Sequence, residues 1–181
     1  METEKNLKGM HGWLILIGIG LVVSPIKLAI EVGPLFYNIF TDGSFEYLTT
    51  PGTDSYHPLW KPLLIFEAIY NFTIILASIF VSYLFFTKHY RFPKAYIILA
   101  ILPIILIPLD AWLGSFVVKD EPMFDTSTLK EFVTSIFSAM IWIPYMIVSK
   151  RVKATFVEGK SAPASAPTPT VMNEPSVEQT E

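Results

Sequence analysis

Ala95-Tyr-Ile-Ile-Leu-Ala-Ile-Leu-Pro-Ile-Ile-Leu-Ile107 offers no polar face at any helical phase. A helix of a soluble bundle needs one side for water, so this stretch belongs in hydrocarbon. It lies within an apolar run from Ala95 to Val118, and three more runs share its character: Trp13 to Val32, Leu63 to Thr87 and Phe132 to Val148. A membrane-spanning helix takes about 20 apolar residues, with a range of roughly 17–25. The last run is the shortest, and it gains length if its helix begins among Thr128 to Glu131. The chain is 52% hydrophobic and 16% charged, against about 25% charged in soluble domains. The expected fold is all-α: a polytopic membrane protein with a bundle of four transmembrane helices at about 12–32, 63–87, 95–118 and 130–150. The first run reads as a retained helix, not a signal peptide, because acids precede it and no small-residue cleavage site follows.

The basic residues set the expected orientation. Lys5, Lys8, Lys88, Arg91, Lys94, Lys150, Arg151, Lys153 and Lys160 fall on alternate connecting segments, nine in all, against Lys61, Lys119 and Lys130 on the others. Lys and Arg favour the cytoplasmic side. Four crossings also require both ends on one side. The expected topology is therefore N-in and C-in, with residues 1–10 cytoplasmic, a membrane domain at 11–157, and a tail at 158–181. Ser161-Ala-Pro-Ala-Ser-Ala-Pro-Thr-Pro-Thr170 in that tail buries too little apolar surface to offset ordering entropy, so the tail is expected to be disordered.

The outer loop, 33–62, is longer than a bare helical hairpin needs. Its aromatic residues suit the headgroup layer. Pro34 to Phe40 is expected as a short interfacial helix and Phe45 to Thr49 as an extended piece, together capping the outer helix ends. Thr126 or Ser127 is the expected cap of the fourth helix.

Four ionisable residues interrupt the apolar runs: Lys27, Glu31, Glu67 and Asp110. Each is costly at mid-bilayer, about 2.5–3.5 kcal/mol on insertion scales. At a rise of about 1.5 Å per residue all four fall in the outer half of the bilayer. Lys27 and Glu31 can pair along one face. The cluster reads either as a tie between helices, with Lys27 reaching Glu67 or Asp110, or as a proton- or ion-coupling site, or as a site for a headgroup or partner.

Polar stripes run along two helices, Asn71, Ser78 and Ser82 on the second and Ser135, Ser138 and Tyr145 on the fourth. Small and polar residues allow membrane helices to approach and bond. Packing is the first reading of both stripes and a hydrophilic pathway the second. Lys150, Arg151 and Lys153 form a basic collar at the membrane exit, suited to anionic lipid. The chain has no cysteine, and His11, His57 and His89 are scattered. No metal, cofactor or catalytic signature is found, and the basic groups are too few to suggest nucleic acid.

Several of these pieces carry a family likeness. Gly12-Trp-Leu-Ile-Leu-Ile-Gly18 continuing to Val23-Ser-Pro-Ile26, Phe66-Glu67, Phe92-Pro93, and Ile141-Trp-Ile-Pro-Tyr145 leading into Ser149-Lys-Arg-Val-Lys-Ala-Thr-Phe156 are together specific. On them the chain resembles the bacterial membrane proteins known as domain of unknown function 2569. The resemblance implies a four-helix protein of the bacterial inner membrane and carries over no catalytic residue. The expected role is a non-enzymatic accessory or scaffold component that binds a partner or lipid, by self-association or with another membrane protein. The alternative is a small oligomeric transporter or channel using the carboxyl groups.

Overall fold

A computed structural model describes residues 11–118 and 122–159. Lys119, Asp120, Glu121, the N-terminal segment 1–10 and the tail from 160 onward lie outside the described residues. Four helices are long and apolar enough to cross a membrane: α1 (Trp13–Thr41), α3 (Trp60–Phe86), α4 (Phe92–Gly114) and α5 (Thr126–Val148). Two short helices accompany them, α2 (Ser44–Thr49) and α6 (Lys150–Thr155). There is no strand among the described residues. Ile19, Phe72, Ile98 and Phe137 stand exposed on the outer faces, as side chains solvated by hydrocarbon do. This is the construction of a multi-pass membrane protein.

The helix boundaries differ from the sequence reading where local chemistry overrides composition. The loop expected at 33–62 is shorter, because α1 continues through Pro34 to Thr41. A proline removes one backbone donor and bends a helix. In a membrane the remaining bonds persist, since no water competes for them. Pro34 to Phe40 is thus part of α1 and not a separate helix. The turn comes at Asp42 and Gly43. Gly43 adopts φ +87, and Asp42 Oδ1 accepts the Ser44 amide at 2.9 Å. Hydrogen bonds from Ser44 hold the Asp42 carboxyl below its ordinary value. Tyr47 then bonds back to the Gly43 carbonyl, so the piece expected to be extended is helical. Phe40 and Phe45 meet across the turn at 5.1 Å between ring centres.

Helix α3 starts at Trp60 and accommodates Pro62 in its first turn. Helix α4 starts at Phe92 with Pro93 beside it and stops at Gly114, short of the expected 118. Helix α5 starts at Thr126. Its cap is Asp125, in place of Thr126 or Ser127: Asp125 Oδ1 accepts the Thr128 amide at 2.8 Å, and Oδ2 accepts the Ser127 hydroxyl at 2.6 Å. A carboxylate so placed satisfies an orphan helix donor.

Consecutive long helices pack against one another: α1 on α3, α3 on α4, and α4 on α5. The densest core lies at the end where α1 begins. Leu14, Phe85, Phe92 and Val152 are fully buried there. Phe92 and Phe156 stack at 4.3 Å, and Phe85 lies 5.1 Å from Phe92 and 5.7 Å from Phe156. The chain reaches this core through a break at Ser149, whose hydroxyl caps α6 by accepting the Val152 amide. Beyond α6 the backbone pairs with the α3–α4 connection. Tyr90 donates to the Glu158 carbonyl at 3.0 Å, and Glu158 donates to the Lys88 carbonyl at 3.2 Å. Glu158 and Gly159, expected at the start of the tail, are therefore held to the bundle.

Candidate functional site

The four intramembrane charges divide into two pairs. Lys27 Nζ lies 3.4 Å from Glu31 Oε1, one turn along α1, with side chains 70% and 58% exposed. No other ion pair occurs among the described residues. Lys27 thus points away from the bundle and ties no second helix, which corrects the expectation that it reaches Glu67 or Asp110. Equal depth does not imply equal azimuth, because each residue turns a helix by about 100°. Glu67 and Asp110 do come together. They line one cavity of about 200 Å³ with Gly114, Asp125 and Thr128, at the end opposite the aromatic core. The hydrogen bonds at Asp125 push its carboxyl down to about 2. Paired carboxyl groups can hold a proton or a small cation between them. No group of three or more potential metal ligands occurs among the described residues.

A second cavity, of about 340 Å³, lies between the four long helices. Its floor carries Ser78 of α3 and Tyr96 of α4, and its rim carries Ser24 of α1 and Ser135, Ser138 and Trp142 of α5. Ser24 and Ser138 are exposed while Ser78 is buried, so the rim reaches the outside. Helices α1 and α5 are not a closely packed pair among the described residues. They meet through an edge-to-face contact of Trp13 with Trp142, ring centres 5.9 Å apart, near the start of α1. Past that contact the cavity lies between them. From the ends nearest the aromatic core, Ser24 and Ser138 both lie roughly 15–17 Å along their helices, near mid-bilayer.

The polar stripes serve unlike purposes. The Ser82 hydroxyl reaches the Leu21 carbonyl at 3.0 Å and its own helix at Ser78 O, a packing role. The Asn71 amide bonds its own helix at the Glu67 carbonyl. Tyr145 packs beside Trp142 against the core. Ser78, Ser135 and Ser138 face the cavity. Ser24 and Tyr96 complete that set and were not singled out from sequence. The available signal was Tyr96 as the one hydrogen-bonding side chain in Ala95–Ile107. Lys150 and Lys153 are exposed on α6 with Arg151 half-buried, at the end of the bundle that also carries Lys88 and Arg91. The Arg91 guanidinium donates to the Tyr90 hydroxyl at 3.0 Å and lies over its ring. The collar is therefore a fixed helix, anchored by Val152, Thr155 and Phe156.

A family model described as a protein of unknown function (DUF2569) matches residues 7–157. Neither a search of curated proteins nor one of solved structures gives a match.

Proposed function

Since the chain belongs to the DUF2569 family, whose description assigns no activity, we propose that it is a non-enzymatic accessory protein of the bacterial inner membrane. In this reading it holds a lipid or another membrane protein against the open side of its helices, and both termini face the cytoplasm. The observation that carries it is the cavity between α1 and α5, which are not closely packed where a closed bundle would pack. An unfilled gap at membrane depth forfeits dispersion contacts, so an occupant from the membrane gains them. The cavity between α1 and α5 is lined by hydroxyl groups with no His, Lys, Asp or Glu beside them, a lining that suits binding better than nucleophilic chemistry. The gathering of Lys88, Arg91, Lys94, Lys150, Arg151 and Lys153 near one end supports a cytoplasmic placement of that end.

A photoreactive side chain at Leu16, which lines the cavity and is half exposed, tests the binding role in native membranes. A discrete lipid or protein adduct is expected there, in excess of that formed at the outward-facing Phe72. Equal, diffuse labelling at both positions would remove the reading. Reporter fusions at Ser44 and Arg91 test sidedness, and opposite signals are expected.

One observation favours a second reading, transport. Glu67 and Asp110 share a cavity with no basic side chain, an arrangement suited to a coupling proton. A proteoliposome flux assay of the unaltered chain against Glu67→Gln and Asp110→Asn separates the two readings. Proton or ion flux lost in folded variants would favour transport.

A further inference from the structure

Hydroxyl groups within membrane helices ordinarily return their hydrogen bond to a carbonyl of the preceding turn. Thr73, Ser82, Thr134 and Ser135 do so here, at 2.7–2.8 Å. Past the first turns of the long helices, Ser24, Ser78 and Ser138 are the serines and threonines with no side-chain hydrogen bond among the described residues. All three line the 340 Å³ cavity. Tyr96 and Trp142 line it as well, and neither the Tyr96 hydroxyl nor the Trp142 indole N–H has a hydrogen-bond partner among the described residues. Five side chains from four different helices, each with a donor that makes no bond within the protein, thus line one space, and none of the donors on the half-buried or buried residues is sealed off from outside. A hydroxyl or indole N–H without a partner in hydrocarbon is costly, and apolar lipid tails cannot supply one.

We propose that this cavity binds a neutral amphiphile with a carbonyl-bearing head, which accepts from these donors while its apolar tail leaves between α1 and α5. The proposal rests on the binding role given above and names the ligand chemistry. Neutrality follows from the lining, which contains no charged side chain; an ionic head would lie desolvated and unpaired. An acceptor head follows from the donors, since the indole offers only N–H and the hydroxyls are free to donate. The tail follows from the exposed rim at Ser24 and Ser138 and from Leu16 beside it. The volume falls within the roughly 300–1,000 Å³ of small-molecule sites. A quinone ring and a diacylglycerol ester are two sources of the same carbonyl chemistry.

The test uses the full-length protein in dodecylmaltoside, with thermal unfolding followed by circular dichroism at rising concentrations of decylubiquinone, dioctanoylglycerol or decylbenzene. A ligand of the folded state raises the midpoint by mass action. At least one carbonyl probe is expected to give a saturable rise, and decylbenzene none. The probe that acts identifies the source. Ser24→Ala with Ser138→Ala weakens apparent affinity about tenfold. Ala100→Phe, which fills the cavity and leaves every donor in place, abolishes the rise. The probe comparison on the unaltered chain needs no variant to fold. An equal rise with decylbenzene, no rise with any probe, or unchanged affinity in folded double variants would overturn the proposal. So would Ser24→Cys chains that form disulfide-linked dimers in membranes, since the open side would then belong to a second copy; the native chain has no cysteine to confuse that result. A lipid or protein adduct at Leu16 would still stand in those cases, so the wider binding role fails separately.

Discussion

A Cβ on Gly18 would lie 2.9 Å from Cε1 of the Phe85 ring. The ring cannot retreat, because Phe86, Phe92 and Phe156 surround it at 5.1–5.7 Å between ring centres. Gly18→Ala is therefore expected to destabilise the protein by about 1–3 kcal/mol, the usual cost of overpacking. At Gly20 a Cβ meets nothing within 4 Å, so Gly20→Ala is expected to be neutral or mildly stabilising. Thermal unfolding in micelles of the two variants, side by side, checks the contrast.

Removing the closing ring of the aromatic core should be more costly. Phe156 is buried against Phe85 and Phe92, and Phe156→Ala is expected to lose about 3–5 kcal/mol. Truncation after Val148 should destabilise at least as much, whereas truncation after Lys160 should leave the midpoint unchanged. Limited proteolysis of the truncated forms gives an independent reading.

The acid limb of stability should report Asp125. Its folded carboxyl titrates at about 2 through its bonds to Ser127 and Thr128, below the ordinary range of an aspartate. The lowered value means that the contribution is complete above the unfolded value and is lost as pH falls through the folded one. The unfolding midpoint of Asp125→Ala should thus lie below that of the unaltered chain at pH 6, and the two should converge as pH approaches 2. A constant difference across that range would refute the assignment.

Lys27 and Glu31 form an exposed pair along one helix, worth about 0.2–0.5 kcal/mol in such settings. Glu31→Gln is expected to shift stability by no more than this. A larger loss would mean that Lys27 or Glu31 engages a neighbouring helix after all.

Long apolar runs nearly free of charge made the four long helices legible, because hydrocarbon imposes one rule on every residue it touches. Boundaries were less legible. Pro34 reads as a stop in water but persists within α1, and the cap of α5 is an aspartate one residue ahead of the hydroxyls favoured from sequence. Depth along a helix placed Lys27, Glu67 and Asp110 at one level, yet only packing sets which way each faces. That is why Glu67 met Asp110 and Lys27 met Glu31. Ser82 and Ser138 look alike in the sequence. One finds the Leu21 carbonyl of a neighbour and the other lines the cavity between α1 and α5, a distinction that only packing makes.

The pairing of Glu158 with Lys88 and Tyr90 bears on biogenesis. Phe85 and Phe92 emerge from the ribosome well before the segment that covers them. Until Val152 and Phe156 arrive, the inserted helices present an unsealed aromatic face at the water boundary. A nascent chain stalled before that point would hold all four spans in the bilayer and still be open to chaperones and quality-control proteases.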